Sequence, residues 1–358
     1  MAIINAGMTG VQYLAALNSN IASYNIYNII GYGAIGDGVT NDTNAIQNAI
    51  DDATTNGGTV YLPAGTYLVN TLTLNSKVFL FGDGKKSVLK SAAAEPLITL
   101  ENIDSSEESA DRWSLRIKSI KLDGNNTGTI GLNFLRYSLF SFEDLLIFNF
   151  EQYGIYGDGF LIGSLYNCYI KNCNVGVYAK LLTEGTYSSP NLVTFVNCKI
   201  DYNSSWAVRW EYGWLINFIG CNFENNGTSG NTATGAISYT SQQAVSSNYG
   251  QGIILNGCWF EYNYGTIVKI VNTNDTGGLI SSVNNCLFVV NTEIVSINIV
   301  SDTGANKVII RDSSLMDGAS LQLDGAAAVV VNDNSNIIGT ITQNNGSKYY
   351  TVDLTEVI

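Results

Sequence analysis

The sequence of 358 residues contains no histidine, and this absence excludes several kinds of chemistry. A histidine general base, a Ser-His-Asp triad and histidine-ligated metal sites all depend on the imidazole ring. The six cysteines include no Cys-x-x-Cys pair, which argues against a zinc site. Any catalysis must use carboxylates, lysine, arginine or tyrosine, and we expect neither a cofactor nor a metal ion.

Proline, charge and long apolar runs are also scarce. The chain has 3 prolines and 13% charged residues, and no apolar stretch approaches the roughly 18 residues that span a bilayer. The first residues lack the basic and apolar regions of an export signal. The net charge of −13 argues against nucleic-acid binding, because lysine and arginine must replace the phosphate counterions. We therefore expect neither nucleic-acid binding nor membrane insertion, and a polyanionic substrate only if a local basic groove exists.

The amino-acid composition is typical of short strands joined by tight turns. Its 36 glycines and 21 tyrosines accompany many asparagines, serines and threonines. The 46% of hydrophobic residues can fill a large core, so we expect the chain to be folded throughout. A solenoid can run to this length as one elongated domain, because each coil contacts only its neighbours.

One short amphipathic helix is predicted near the start of this solenoid, after an N-terminal piece with a helix around Gly10 to Leu17. Apolar residues recur there at helical spacing, with cap candidates before them and two glycines after them. The apolar positions are Ala45, Ile46, Ala49, Ile50 and Ala53, the cap candidates are Asn41 and Asp42, and the stop is Gly57-Gly58. Such a helix can cover the open end of a β-solenoid, which would otherwise expose core and strand edges.

Three sequence segments within residues 28–90 resemble a known protein family. They are Tyr32-Gly-Ala-Ile-Gly-Asp-Gly38, Asp42-Thr-Asn-Ala-Ile-Gln-Asn-Ala-Ile50 and Gly57-Gly-Thr-Val-Tyr-Leu-Pro-Ala-Gly-Thr-Tyr67. This segment resembles the start of pectate-lyase-like proteins, especially that of bacteriophage tailspikes. The resemblance implies an all-β fold, a single-stranded right-handed parallel β-helix with a short capping helix. It does not choose the chemistry, because polygalacturonases, lyases, epimerases, endosialidases and pure binding proteins share this scaffold.

The resemblance also implies an organisation and a setting. We expect an N-terminal connector with a short helix (1–27), an opening β-helix module with its capping helix (28–90), regular coils (91–325) and a C-terminal coil, cap or trimer contact (326–358). Tailspike relatives are homotrimers on the virion, so the expected partners are bacterial surface polysaccharide, two further copies of the chain and other tail proteins. Absence of an export signal suits a virion tail protein made in the host cytoplasm, with an extracellular protein as the alternative.

A repeat runs through the coils: an apolar strand, a cysteine or equivalent, a large apolar residue two places on, and an asparagine three places further. The anchor positions are Ile120, Leu145, Cys168, Cys198, Cys221, Cys258, Cys286, Ser313 and, less regularly, Ser335. Their intervals of 22 to 37 residues are typical of a parallel β-helix. The longest interval places a polar insertion at 228–251, which we expect to overhang the neighbouring face.

Period-two alternation then predicts which side chains face inward. The anchors and the residues two places on point into the core, which stacks five of the six cysteines as a ladder. The asparagines five places after the anchors are Asn125, Asn203, Asn226, Asn263 and Asn291. We interpret them as a structural ladder at a turn, because asparagine tolerates left-handed backbone and its amide can bridge coils.

Three carboxylates on consecutive coils are the candidate catalytic residues. Asp201, Glu224 and Glu261 occupy the third position after the anchor, with Lys171 one coil earlier. Strands of adjacent coils lie about 4.8 Å apart, so neighbouring pairs fall near the spacing of retaining glycosidases and the outer pair near that of inverting ones. Like charges this close would raise the pKa of one carboxyl, as a general acid requires.

Aromatic and charged residues around this column form a candidate substrate-binding surface. Trp259 and Lys199 share its face, while Tyr202 and Tyr262 occupy the following turn and can stack on sugar rings. Arg209 and Glu211 face outward on the next sheet, as an ion pair or a second groove, whereas Trp206 and Trp210 have the parity of core residues. The alternative is that the carboxylates are surface decoration before a turn.

The sequence lacks the catalytic motifs of several known enzymes of this family. The Gly-His-Gly string of polygalacturonases is impossible without histidine, and no counterpart of the pectate-lyase arginine or of a calcium site is found. Arg116-Ile-Lys118 is similar to the Arg-Ile-Lys string of polygalacturonases but lies too early, so we assign it no role. The leading hypothesis is a carboxylate-based polysaccharide hydrolase on a phage tail, and the alternatives are a non-catalytic receptor-binding appendage and a polysaccharide lyase or epimerase.

Overall fold

A computed structural model describes most of the chain. The described residues are 25–74, 78–101, 115–135, 138–158, 161–180, 191–213, 215–241, 250–271, 279–289, 295–300, 306–316, 320–325, 328–333, 335–337 and 341–352. The predicted helix at Gly10 to Leu17 lies outside them.

Within these residues the strands form three long parallel sheets. Sheet 1 contains Ile26–Asn28, Gly58–Leu62, Val78–Gly82, Leu115–Lys118, Ser138–Glu143, Leu161–Tyr166, Asn191–Val196, Ile216–Ile219, Gly250–Asn256, Leu279–Asn284, Asn306–Arg311, Ala328–Asp333 and Lys348–Val352. Sheet 2 contains Asp37–Asn41, Gly65–Val69, Ser87–Ser91, Lys121–Asp123, Leu146–Phe148, Tyr169–Lys171, Lys199–Asp201, Asn222–Glu224, Trp259–Glu261, Leu287–Val289, Ser314–Met316 and Asn336–Ile337. Sheet 3 contains Leu72–Leu74, Ile98–Glu101, Ile130–Leu135, Tyr153–Asp158, Val175–Lys180, Trp206–Gly213, Gly235–Ser241, Thr266–Val271, Val295–Val300, Ser320–Asp324 and Ile341–Gln343.

Each turn of the chain adds one strand to each sheet, which confirms the predicted right-handed parallel β-helix. Ile170 pairs with Ile200, and Ile200 with Phe223, in the predicted register. This row of inward-facing side chains continues through the next coils as stacked rings. The ring centres of Phe223 and Phe260 lie 4.9 Å apart, and those of Phe260 and Phe288 lie 4.5 Å apart. The core is therefore a set of vertical rows of like side chains running through the solenoid.

The predicted capping helix is present as helix α1, Thr43–Asn56. It buries Ile46, Ala49, Ile50 and Ala53 against the first coil and ends at Gly57, whose φ is 68°. Of the two cap candidates, Asn41 accepts a hydrogen bond from the Thr43 N–H at 3.0 Å. Asp42 makes no cap bond and accepts instead from the N–H groups of Ile35 and Gly36. Two short 3-10 helices, Ile29–Tyr32 and Gly84–Lys86, complete the helical elements of the described residues.

The cysteine ladder is present as predicted. Cys168, Cys198, Cys221, Cys258 and Cys286 are buried free thiols on successive coils. The backbone supports their register. The N–H of the residue after each of these five cysteines donates to the carbonyl of the anchor residue one coil earlier, as in Lys199 N–H to the Cys168 carbonyl at 2.9 Å. These thiols fill the core as small apolar groups.

The asparagine ladder lies at the turn from sheet 2 to sheet 3. Asn226 Oδ1 accepts from the backbone N–H and the amide of Asn203, and Asn263 Oδ1 accepts in the same way from Asn226. These bonds confirm the predicted coil-to-coil ladder, although Asn203, Asn226 and Asn263 do not themselves take the left-handed conformation that asparagine tolerates. The residue before each one takes it, at Tyr202 (φ 53°), Asn225 (φ 54°) and Tyr262 (φ 52°). Asn125 alone among the predicted ladder positions has positive φ, and Asn291 lies outside the described residues.

The long insertion is smaller than expected. Residues predicted as loop at 235–241 form a strand of sheet 3, because their backbone continues the parallel ladder between Trp206–Gly213 and Thr266–Val271. Residues 228–234 form a turn bonded to neighbouring coils, through Thr228 Oγ1 to the Ser204 carbonyl and Thr266 Oγ1 to the Thr232 carbonyl. Residues 242–249 lie outside the described part of the chain.

Candidate functional site

The candidate carboxylates form one column on the outer face of sheet 2. Lys171 pairs with Asp201, Asp201 with Glu224 and Glu224 with Glu261, each one coil apart. Short three-residue strands hold them there, and alternation turns the middle residue of each strand into the core. The predicted spatial grouping of these residues is therefore what the structure shows.

Asp201 differs from expectation because its side chain is covered. The residue is 0% exposed, although its position on the strand faces outward. Its Oδ2 atom accepts a hydrogen bond from the Tyr169 hydroxyl at 2.9 Å and lies 3.4 Å from Lys199 Nζ. Its Oδ1 atom is buried and has no hydrogen-bond partner. Burial raises the pKa of this carboxyl above its ordinary value, against the opposing effects of Tyr169 and Lys199.

The pKa of Glu224, one coil away, is shifted in the opposite direction. Burial alone would raise its pKa, but hydrogen bonds from Lys199 and Asn222 and the charge of Lys199 outweigh it, so the pKa lies below its ordinary value. Both bonds are 2.8 Å long, to Oε2 and Oε1 respectively. The pKa difference between Asp201 and Glu224 thus comes from unequal burial and from Lys199, and the predicted repulsion of like charges is not its main cause.

Lys199 links the two carboxylates. Because its ammonium lies 3.4 Å from Asp201 Oδ2 and 2.8 Å from Glu224 Oε2, these oxygens are no more than about 6 Å apart, which accommodates the about 5 to 5.5 Å of retaining glycosidase pairs. The ammonium also lies 5.8 Å from the ring centre of Tyr169, and Lys171 Nζ lies 5.0 Å from the same centre. Tyr169 is a member of the site that sequence reasoning missed, although its place one residue after Cys168 could have indicated it.

Glu261 and the aromatic residues lie along the same face. The Trp259 indole N–H donates to Glu261 Oε2 at 3.1 Å, and the Trp259 side chain is exposed. Tyr202 and Tyr262 are 56% and 45% exposed at the edge of the face. Both hold left-handed backbone, which is costly for a bulky residue and projects their rings outward. These three rings offer apolar surface to a ligand lying along the column.

Arg209 and Glu211 lie on sheet 3, around the corner from this column. Arg209 Nε donates to Glu211 Oε1 at 2.7 Å, and the Tyr178 hydroxyl donates to Glu211 Oε2 at 2.8 Å. The guanidinium lies 5.0 Å from the ring centre of Tyr178, which belongs to a cluster with Tyr153 and Tyr156. Trp206 and Trp210 of the same strand are buried, as their parity predicts. The two predicted groups of binding residues therefore occupy separate faces.

A groove that the sequence does not predict lies on the outer face of sheet 1. Its volume is about 510 Å³. It is lined by Leu115, Arg116, Leu139, Phe140, Ser141, Ile162, Gly163, Ser164, Leu192 and Thr194. Among these, only Arg116 belongs to a string that the sequence singles out, and small hydroxyl residues in strands give no functional signal on their own.

The described residues contain no group of three or more cysteine, aspartate or glutamate side chains placed to hold a metal ion. Over the same residues, no helix combines the length and apolarity needed to cross a membrane.

Comparison with known proteins gives a family and several relatives. Residues 26–231 match the family described as rhamnogalacturonase A/epimerase, pectate lyase-like. Mannuronan C5-epimerase AlgE5 of Azotobacter vinelandii is 37% identical over 114 residues, which cover 29% of this chain and 11% of that protein. The preneck appendage protein of Bacillus phage PZA is 36% identical over 101 residues, covering 26% of this chain and 11% of that protein. The chain thus spans about a tenth of the length of these relatives.

Solved structures share the fold over nearly the whole chain. ORF18 of Geobacillus virus E2 superposes with a TM-score of 0.63 at 21% identity, covering 98% of this chain and 66% of that one. The tailspike protein of Acinetobacter phage vB_ApiP_P1 superposes with a TM-score of 0.59 at 19% identity, covering 97% of this chain and 63% of that one. At these identities the likeness concerns the β-helix fold.

Proposed function

This chain belongs to the pectate-lyase-like family of rhamnogalacturonase A and epimerases, and we propose that it binds a bacterial surface polysaccharide along sheet 2 and hydrolyses it with carboxylates. The observation that carries the proposal is the pair of Asp201 and Glu224, joined through Lys199 and shifted in opposite directions in pKa. Two neighbouring carboxyls whose environments separate their pKa values are suited to act as acid and base.

In the proposed reaction, Asp201 is the general acid. Its raised pKa favours the protonated form, which donates its proton to the glycosidic oxygen as the bond to the anomeric carbon breaks. Glu224 stays ionised and attacks that carbon or stabilises its positive charge. A water molecule then attacks the anomeric carbon in place of Glu224 and gives one proton to Asp201. The released product carries a new reducing end.

Lys199 and Tyr169 control access to the acid. Both contact Asp201 Oδ2, and the side chain of Lys199 is 40% exposed, so it can turn toward solvent when a sugar enters. In turning, the ammonium leaves Asp201 Oδ2, 3.4 Å away, but keeps its shorter 2.8 Å bond to Glu224 Oε2, so the pKa of Asp201 rises further while Glu224 stays ionised. Tyr169 stays as the hydrogen-bond donor that orients the carboxyl group.

The remaining residues of the face bind the polysaccharide in this proposal. Trp259, Tyr202 and Tyr262 stack on sugar rings, while Lys171 and Glu261 hydrogen-bond to hydroxyl groups. Glu261, bonded to Trp259, orients that ring and serves as the alternative base two coils from Asp201. Arg209 and Glu211 contribute on sheet 3 as a second contact surface for the same long chain.

The setting we propose is a phage tail, with the chain as a homotrimer beside other tail proteins. The similarity to a phage preneck appendage protein and the fold of a phage tailspike support this setting. The similarity to a mannuronan C5-epimerase supports a polysaccharide ligand.

A second candidate function is non-catalytic binding of a receptor polysaccharide. The ion pairs that Lys199 forms with Asp201 and Glu224 favour it, because they hold two adjacent coils together and can serve a purely structural role. Incubating the protein with purified capsule or lipopolysaccharide and measuring new reducing ends separates the two. Bound but uncut polysaccharide would support the second function, and unsaturated products absorbing in the ultraviolet would indicate a lyase.

A further inference from the structure

The first coil of the solenoid carries apolar side chains on its outer surface. Ile26, Ile30, Ile35 and Val39 are all exposed, and we call these four residues the apolar cap patch. Val39 at 79% and Ile35 at 60% are the most exposed large apolar residues in the described part of the chain. Single exposed apolar residues are ordinary, but several on one coil are characteristic of a surface that another segment covers.

The strands of this coil are also open on one side. Ile26–Asn28 is the terminal strand of sheet 1, and within the described residues it bonds only to Gly58–Leu62. Asp37–Asn41 is likewise the terminal strand of sheet 2 and, in the same part of the chain, bonds only to Gly65–Val69. Helix α1 covers the core of this coil but leaves the apolar cap patch exposed. Proteins commonly cover such strand edges with a helix or a loop.

The chain enters this coil at Asn25, whose position is fixed by several contacts. Its side-chain amide donates to the carbonyls of Asn56 and Gly57 at 3.4 and 3.2 Å, and its own carbonyl accepts from the Thr59 N–H at 2.9 Å. A Cβ atom at Gly58 would clash with that carbonyl, so this packing requires the glycine. Asn25 has a φ of 45°, a left-handed conformation that turns the chain. The residues before it therefore lead directly to the apolar cap patch.

The N-terminal segment, residues 1–24, has the composition of a covering segment. It contains no aspartate, glutamate, lysine or arginine, in a chain of net charge −13. In the helix that the sequence predicts over Gly10 to Leu17, Val11, Leu14 and Leu17 recur every third residue and share one face. An uncharged segment with one apolar helix face is suited to pack on apolar surface.

We propose that the N-terminal segment folds back on the apolar cap patch, with the apolar face of a helix over Gly10 to Leu17 packed on it. Residues 18–25 form the link and can extend over about 26 Å, which lets the chain turn at Asn25 and return. A tethered segment has a high effective concentration at the patch, which favours it over a second copy of the chain. This docking covers the open strand edges against end-to-end association and is independent of the proposed polysaccharide site.

Cross-linking in the full chain tests the contact. Val39→Cys is combined in turn with Val11→Cys, Leu14→Cys and Leu17→Cys and treated with a short bismaleimide, which the buried native thiols should not reach. We expect at least one pair to be joined within one chain. Its yield should be about tenfold above that of the same cysteine paired with Ile280→Cys, which is exposed on a distant coil.

The other cross-linking results would overturn the proposal. Links between chains would mean that a second copy covers the apolar cap patch. Yields equal to those of the Ile280→Cys pairs would mean that the N-terminal segment does not lie on it.

Hydrogen exchange separates docking from folding. The amides of Gly10 to Leu17 should be protected in the wild type and should exchange about tenfold faster after Ile35→Thr with Val39→Thr, which keeps β-branched side chains but removes apolar surface. The amides of helix α1 should exchange equally in both proteins, which shows that the solenoid is intact. Ile280→Thr is the matched control and should change neither set. Unprotected amides in the wild type, or protection that survives the double substitution, would contradict the docking.

A charge placed on either face of the helix identifies the face that packs. Leu14→Asp should release the N-terminal segment and increase the fluorescence of an apolar dye severalfold, because the apolar cap patch becomes accessible. Gln12→Asp adds the same charge on the opposite face and should leave the fluorescence unchanged. The same response in both variants would show that this face of the helix does not cover the patch.

Discussion

The hydroxyl of Tyr169 donates a 2.9 Å hydrogen bond to the carboxylate of Asp201, although 32 positions separate the two residues in the chain. Tyr169 lies one coil before Asp201 and two places away along the face, so its side chain crosses from one strand to the next. This contact covers one oxygen of the acid and leaves the other oxygen buried without a partner. Burial of a carboxyl with one unpaired oxygen favours its protonated form.

Glu224→Gln should abolish polysaccharide cleavage while leaving the fold intact. The amide keeps the size of the side chain but cannot supply a negative charge to the anomeric carbon, so we expect a loss on the order of 10²- to 10⁴-fold in reducing-end production. Glu261→Gln should also abolish cleavage if Glu261 is the base that acts with Asp201. Asp123→Asn is the control, because it neutralises a carboxylate of the same column three coils before Asp201 and outside the proposed site. Wild-type turnover in both glutamate variants would remove the assignment of the active site to sheet 2.

The stability contribution of Asp201 should depend on pH in a direction set by its raised pKa. Its contribution is fully present below the ordinary value of 3.8 and is lost as the pH rises through the higher pKa of the folded state, because ionising the buried group is costly. The melting temperature of Asp201→Asn minus that of the wild type should therefore become more positive between pH 3.5 and pH 7. A difference that stays constant, or that falls, would show that Asp201 is not perturbed by burial.

Asn226→Ala should destabilise the protein by about 2 to 4 kcal/mol, because it leaves several buried groups unpaired at once. The Asn226 amide bonds the carbonyls of Ile200 and Glu224, and its oxygen accepts from Asn203. Asn225→Gly is the matched control, since glycine keeps the positive φ of the adjacent position and removes only an outward side chain. Urea unfolding of both variants measures the difference, and equal free energies of unfolding would contradict the structural role of the ladder.

The six cysteines should be unreactive in the native protein. All are buried free thiols, so a reagent in solution cannot reach them, and burial also raises the pKa of Cys173 to about 12, which keeps that thiol protonated at neutral pH. A chromogenic disulfide reagent should label none of them before unfolding and all six after denaturation. Rapid labelling of even one thiol under native conditions would show that the coil around it is open.

Replacing Tyr202 and Tyr262 with glycine should weaken polysaccharide binding without lowering stability. Both residues hold left-handed backbone that glycine accepts freely, and both rings are exposed. Loss of two stacking rings should reduce the affinity by about tenfold or more, given about 0.5 to 1.5 kcal/mol per aromatic contact. Binding assays on immobilised capsule, with Tyr27→Ala as an aromatic control on another face, would detect this. Undiminished binding would remove these tyrosines from the surface.

The vertical rows of this protein could be predicted from the sequence. The interval between Cys198 and Cys221 and the alternation around each anchor determine that Ile200 and Phe223 face inward and that Asp201 and Glu224 lie in one outward column. Two-residue periodicity and a fixed coil length are local properties, so sequence alone suffices for them. The capping helix and the inward position of Trp206 and Trp210 follow from the same kind of pattern.

What only the tertiary structure decided is the environment of each outward side chain. Asp201 is covered because Tyr169 and Lys199 reach it, and the groove on sheet 1 is lined by residues from four consecutive coils. Arg209 and Glu211 lie on a separate face because the chain turns at Asn203. Periodicity specifies which way a side chain points, whereas its burial, its pKa and the cavities around it depend on contacts between coils that are tens of residues apart.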